Sequence, residues 1–91
     1  MQIVITFTGP LRTAGPVELS VPEGTTLAGM CRLLADAAAG DVRRHLFSAE
    51  GGLEPTLLLA VNGVGVPLEE RPRRVLRDGD DVLIMPPVAG G

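Results

Sequence analysis

Apolar and polar positions alternate near both ends of this 91-residue chain and take a helical spacing once between them. Gln2 to Thr8 places Ile3, Ile5 and Phe7 on one side and Val4, Thr6 and Thr8 on the other, the two-residue period of a strand. Gly9-Pro10 and Ala14-Gly15-Pro16 bracket a loop, after which Val17, Leu19 and Val21 alternate with Glu18 and Ser20. That second strand has one buried face and pairs with the first as a hairpin. Pro22-Glu23-Gly24 turns the chain, and Thr25 or Thr26 is placed to cap a helix. From there Leu27, Met30, Cys31, Leu34 and Ala38 form an apolar stripe, widened by Leu33 and Ala37, with Arg32 and Asp36 on the opposite face. Gly40 is placed to end the helix. Asp41 to Phe47 reads as a short second helix or a turn, and Ser48 to Pro55 as a loop.

The second half is mostly strand. Leu57-Leu58-Leu59-Ala60-Val61 is a continuous apolar run, which predicts a central strand buried on both faces. Asn62-Gly63 is a strong hairpin signal, so Val64 to Pro67 returns beside that strand. Glu69 to Arg77 is polar and arginine-rich, anchored by Leu68, Val75 and Leu76. Asp78-Gly79-Asp80 makes a tight turn into a last strand, Val82 to Met85, with Val82 and Ile84 inward and Leu83 and Met85 outward. The order β-β-α-β-β-β predicts an α+β fold: a mixed sheet of four to five strands around one main helix, the β-grasp or ubiquitin-like arrangement. Residues 1–85 form this domain, and residues 86–91 form an extended, flexible tail.

Composition narrows the function. The chain is too short for two cores and has an ordinary balance of 45% hydrophobic and 21% charged residues. It has no apolar run of about 18 residues and begins without a signal-peptide pattern, so a cytoplasmic protein with no membrane role is expected. A net charge of −3 and only two aromatic residues, Phe7 and Phe47, argue against binding nucleic acid. All eight basic residues are arginine. Two readings of the missing lysines stay open: the chain offers no amine to an activated terminus of its own, or codon usage favours arginine.

The segment Pro86-Pro87-Val88-Ala89-Gly90-Gly91 carries the most specific signal. Two prolines without N–H donors end strand pairing and favour a stiff, extended start. Val88 and Ala89 are small, and Gly90 and Gly91 have no side chain, so a narrow channel can close around this backbone. Six extended residues reach roughly 20 Å. The reactive group is then the Gly91 carboxylate. Outward-facing Leu83 and Met85, just before the tail, suit a partner-docking patch.

Other residues fit simpler roles. Cys31 lies on the apolar helical stripe and reads as a buried, inert thiol, with no partner for a disulfide. His45 has no second ligand near it in sequence, so no metal site is expected there. Asp78, Asp80 and Asp81 read as solvated charges around a turn. Arg71, Arg73, Arg74 and Arg77 form a basic stretch that is either solvated or meets an acidic partner surface. No acid–base pair or nucleophile constellation appears, so no catalytic side chain is expected.

The chain resembles the MoaD/ThiS-type sulfur carriers of the β-grasp class, and most of all the small subunit of molybdopterin synthase. The likeness is carried by Asp78-Gly79-Asp80-Asp81-Val82 with the run through Gly91, by Val61-Asn62-Gly63, and more loosely by Leu11-Arg12 with Gly15. It is clear over residues 56–91 and the first strand. Thiamine-pathway carriers generally lack Pro-Pro before the glycines, so Pro86 and Pro87 favour the molybdopterin type. Carriers for cysteine or secondary-metabolite sulfur insertion, and ubiquitin-like adaptors or modifiers, remain alternatives. The resemblance implies that an E1-like adenylyltransferase (MoeB/ThiF type) uses ATP to adenylate Gly91. A sulfur donor, a cysteine desulfurase or rhodanese-like protein, then makes a C-terminal 1-thioglycine. The acceptor is an enzyme such as the molybdopterin synthase large subunit, and the carrier itself binds no cofactor.

Overall fold

The computed structural model describes residues 1–9, 16–37, 40–48 and 53–86. Strand β1 (Gln2–Phe7) pairs antiparallel with β2 (Val17–Ser20), as the alternation requires. Helix α1 (Leu27–Ala37) and the shorter α2 (Gly40–Leu46) follow, then β3 (Leu58–Val61), β4 (Val64–Gly65), a 3-10 turn at Leu68–Glu70, and β5 (Asp81–Met85). The five strands form one sheet in the order β2-β1-β5-β3-β4. β5 is therefore the middle strand, parallel to β1 and antiparallel to β3. Among the described residues no helix is long and apolar enough to cross a membrane.

The core lies between one face of the sheet and α1. Ile3, Ile5 and Phe7 of β1, Leu59 and Val61 of β3, and Val82 and Ile84 of β5 are buried there. They meet Leu27, Met30, Cys31, Leu34 and Ala35 of α1, a stripe at the spacing of a single helix face. Burying each large side chain contributes about 1.5–3 kcal/mol, so this one layer dominates stability. Ala35 belongs to the stripe, whereas Leu33 is 39% exposed and Ala37 is exposed. The expected widening of the stripe at those two positions is thus corrected, because both face solvent. Ala38 lies outside the described residues.

Thr26 is the residue that caps α1. Its hydroxyl accepts the Gly29 N–H at 3.1 Å, while the Thr25 hydroxyl donates to the Pro22 carbonyl at 2.6 Å. The Leu27 and Ala28 N–H groups donate to the Arg74 and Arg71 carbonyls at 2.8 and 3.1 Å. The arginine-rich loop thereby satisfies helix-end donors that would otherwise be left to water. Gly40 opens α2 rather than closing α1, which ends at Ala37.

Three further expectations change. β3 is buried on both faces only in part: Leu59, Ala60 and Val61 are buried, but Leu58, on the outer side with Ala60, is 59% exposed. In the polar stretch only Leu76 is a true anchor, whereas Leu68 and Val75 stand exposed. Arg71 is buried. Its guanidinium donates to the Leu57 carbonyl at 2.7 Å and to the Val66 carbonyl at 3.2 Å, and Nη1 has no partner among the described residues. Arg71 thus ties its loop to the residues just before β3 and just after β4, whereas Arg73, Arg74 and Arg77 are exposed. Burial holds its pKa below the usual arginine value, an effect that the neighbouring Cys31 and Glu69 oppose.

Candidate functional site

The site is organised around the two ends and the outer face of β5. At its start, Asn62 and Gly63 adopt φ values of 51° and 84°, the left-handed pair that a two-residue hairpin needs. This turn sets the register of β3 with β4, and the Asn62 side chain then reaches across to β5. Its Nδ2 donates to Asp80 Oδ1 at 2.9 Å, and its Oδ1 accepts the Asp81 N–H at 2.9 Å. The second Asp80 carboxylate oxygen accepts the Arg77 N–H at 2.8 Å. Asp78 Oδ1 accepts the Gln2 N–H at 2.7 Å, tying the same turn to β1. The acidic cluster is therefore not simply solvated: Asp80 is buried and structural. A carboxylate that accepts one bond from a residue 18 positions away and one from its own turn is shielded by those donors.

At the other end, the chain leaves the sheet. Ile84 pairs with Phe7, and its carbonyl accepts the Thr8 N–H at 3.0 Å and the Thr8 hydroxyl at 3.4 Å. Gly9 follows at φ 63°, and a Cβ placed there would come within 3.6 Å of the Pro86 carbonyl oxygen. Pro86 is buried rather than held out from the body. Pro87, Val88, Ala89, Gly90 and Gly91, the remaining residues of the expected tail, lie outside the described residues, as do Leu11, Arg12 and Gly15.

Between these ends, Leu83 and Met85 face outward and are half-buried. The register places Leu83 beside Thr6 on one side and Ala60 on the other, with Gly65 beyond Ala60. Met85 lies opposite exposed Leu58. Side-chain bulk thus falls from Leu83 through Ala60 to Gly65, which leaves a groove of about 620 Å³. Leu58, Leu68 and Met85 line it, Arg71 contributes to its lining, and its surface is largely apolar. Leu58, Ala60 and Gly65 were missing from the sequence-based patch. The hairpin register implied by Asn62-Gly63 was the signal that could have found them, since it aligns Gly65 with Ala60.

Side-chain chemistry is sparse. Cys31 is fully buried, and burial pushes its thiol up to about 12, only partly offset by the charge of Arg71. Neutral and covered, that thiol is inert at ordinary pH. His45 is half-buried on α2, away from the β5 exit in the chain order. Among the described residues no three His, Cys, Asp or Glu side chains are grouped to hold a metal ion. What the arrangement offers is a braced strand, an apolar outer face and a chain exit beside it.

Comparison with known proteins agrees with this geometry. The chain is 29% identical over 70 residues to ubiquitin-related modifier 1 of Ajellomyces capsulatus, a match spanning 77% of this chain and 58% of that protein. The structure of Urm1 from Trypanosoma brucei superposes with a TM-score of 0.75 at 25% identity, covering 99% of this chain and 95% of that one. SAMP1 from Haloferax volcanii superposes with a TM-score of 0.83 over 100% of both chains, and its 19% identity speaks for the fold alone. The profile of the ThiS family aligns with residues 5–91. A β-grasp sheet with β5 at its centre, matched along nearly the whole chain, makes this protein a member of the ThiS family of ubiquitin-like carriers and modifiers.

Proposed function

We propose that the chain is a sulfur carrier whose reacting group is the Gly91 carboxylate. The observation that carries this reading is the segment Pro86-Pro87-Val88-Ala89-Gly90-Gly91, which continues directly from β5 and lies within the ThiS-family match. A carboxylate oxygen of Gly91 attacks the α-phosphorus of ATP on an E1-like adenylyltransferase, and pyrophosphate leaves. A persulfide sulfur from the donor, a cysteine desulfurase or rhodanese-like protein, then attacks the acyl carbon, and AMP leaves. A second thiol cleaves the S–S bond, which yields the thiocarboxylate and a disulfide. The carrier acts as a protein co-substrate in the cytoplasm and binds no cofactor of its own.

With Pro86 buried, five residues, Pro87 to Gly91, follow the last described one, and five residues span at most roughly 17 Å. Docking must therefore bring the partner's active site close to the β5 exit, and Leu83, Met85, Leu58 and the trough over Ala60 and Gly65 form the surface for it. The Pro86-Pro87 pair favours molybdopterin biosynthesis as the pathway, with the large subunit of the synthase as acceptor. A second reading is supported by the similarity to ubiquitin-related modifier 1: transfer of the Gly91 acyl group to amines on other proteins.

Intact-mass measurement after incubation with ATP, an E1-like adenylyltransferase and a persulfide donor tests the carrier reading. Exchange of one oxygen for sulfur at Gly91 is expected. Amide-linked conjugates without that exchange would favour the modifier, and an unchanged mass would refute both. Pathway assignment is checked by supplying the thiocarboxylate form to a molybdopterin synthase large subunit and measuring dithiolene formation.

A further inference from the structure

The groove on the outer face of the sheet holds a single charge. Of the described side chains that line it, Arg71 alone is ionisable. Arg71 is 3% exposed, and its guanidinium is fixed by the Nη2 bond to the Leu57 carbonyl and the Nε bond to the Val66 carbonyl, at 2.7 and 3.2 Å. Leu57 and Val66 line the same groove, so the cation is built into its wall. Both acceptors are neutral. Among the described residues Arg71 is in no ion pair, and Nη1 makes no hydrogen bond. Glu69 favours the charged form from beyond ion-pair distance and is itself exposed. A buried guanidinium is ordinarily paired with an acid or fully bonded. This one is neither.

That unfilled capacity specifies an occupant. Leu58, Leu68 and Met85 offer apolar contact, which a segment with branched apolar side chains would cover. A groove with one fixed cation and no acidic side chain attracts a carboxylate and opposes an ammonium or a second guanidinium. Docking excludes water, which strengthens the attraction between the charges. The cation is already held in place, so binding orders little that was free before. Ala60 and Gly65, paired across β3 and β4, leave room above the sheet for an incoming backbone.

We propose that the groove receives a segment of the partner enzyme that carries a carboxylate between apolar side chains, and that Arg71 selects it. The inference deepens the proposed function and rests on its reading of the outer face as the docking surface. Nη1 is covered in the free chain, so selection acts through the charge of the guanidinium. Contact with Nη1 itself requires a lining side chain to move aside. Leu68, 44% exposed on the short turn before Arg71, is the one placed to do so. Exposed Arg73, Arg74 and Arg77 lie outside the groove lining and take no part in the selection.

The test uses the full chain and three capped tripeptides, acetyl-Leu-Asp-Leu-amide and its asparagine and lysine counterparts, titrated into the millimolar range at neutral pH. Backbone amide shifts and the Arg71 Nε–H resonance report the site by NMR. The aspartate peptide should move the Leu58, Gly65, Leu83 and Met85 amides together with the Arg71 side-chain signal. It should bind at least about fivefold more tightly than the asparagine peptide, with the lysine peptide weakest, and added salt should narrow the gap. Arg71→Met keeps an apolar stem without the charge and should erase the preference, whereas Arg71→Lys should keep it. If Arg71→Met does not fold, the aspartate and asparagine peptides on the wild-type chain still decide. Equal binding of those two peptides would overturn the inference. So would the absence of groove shifts with every peptide. Groove shifts that depend on protein concentration without peptide would assign the groove to a second copy and overturn it too. None of these outcomes touches sulfur exchange at Gly91, which intact mass reads separately, so failure of one reading is distinguishable from failure of the other.

Discussion

The two ends of β5 differ in what reinforces their main-chain bonds. At its start, side chains add to them: Asn62 and Asp80 bridge the β3–β4 hairpin to the turn, and Asp78 bridges the turn to β1. At its exit, contacts are mostly main-chain: Ile84 to Thr8, Met85 beside Leu58, and then buried Pro86, which has no N–H to offer. Side-chain bridges with fixed geometry resist a slip in register, whereas main-chain ladders alone tolerate it. Anchoring is thus concentrated at the end away from the proposed chemistry. The exit needs only to aim the chain, and a substitution there can change transfer without unfolding the domain.

The largest effect expected from breaking this asymmetry is at the braced end. Asp80→Ala leaves the Asn62 amide and the Arg77 N–H without their acceptor. Stranding two donors in a partly buried site should cost about 3 kcal/mol, read from urea denaturation. A loss under about 1 kcal/mol would mean that the brace does not hold the start of β5. On the outer face, Met85→Asp should leave stability nearly unchanged while weakening association with the proposed adenylyltransferase by about 2 kcal/mol, roughly thirtyfold. An unchanged dissociation constant by calorimetry would remove Met85 from the docking surface.

Much of this asymmetry was legible in the sequence, though not all of it. The alternations Ile3/Ile5/Phe7 and Val82/Ile84 mark the inward faces of β1 and β5, and Asn62-Gly63 marks the hairpin, because these are local patterns of period and turn chemistry. The burial of Asp80 depends on Asn62, 18 residues away, and no window along the chain contains both ends of that bond. The same holds for Arg71, whose carbonyl partner on Leu57 is 14 residues distant. Leu58 and Leu33 were misplaced for another reason: an apolar side chain does not reveal whether its face of the sheet or helix is covered. The proposed sulfur-carrier chemistry rests on residues 86–91, and of these the described structure reaches Pro86.

Cys31 offers a reporter that separates the two ends. Its thiol is covered in the folded protein, so a thiol reagent should label it only through opening of the body. Asp80→Ala should speed labelling, and Met85→Asp should not. The thiol also imposes a pH dependence of definite sign. Its pKa is about 12 when folded against an ordinary 9.0, so above pH 9 the unfolded state loses a proton that the folded state keeps. Its stabilising contribution is complete below pH 9 and declines between pH 9 and 12, by about 1.4 kcal/mol per unit. Cys31→Ala should remove that slope; a slope equal to the wild type's would show that another group sets the alkaline limit.

The smallest effect belongs to the exit itself. Gly9 sits at φ 63°, where an L side chain costs about 1 kcal/mol, and an added Cβ would lie 3.6 Å from the Pro86 carbonyl oxygen, in ordinary contact. Gly9→Ala should therefore lower stability by about 1 kcal/mol without a clash, as judged by the urea midpoint. If Gly9 and Thr8 aim the chain as it leaves the sheet, relaxing that strain shifts the Pro86 carbonyl and misdirects Gly91. Adenylation should then fall by more than the stability change accounts for, with the dissociation constant of the complex unchanged. The contrast with Met85→Asp is the deciding measurement, since one variant should lose turnover and the other binding. Equal loss of both parameters in both variants would mean that the exit and the outer face are a single docking surface, and that the Gly9 turn plays no part in aiming the chain.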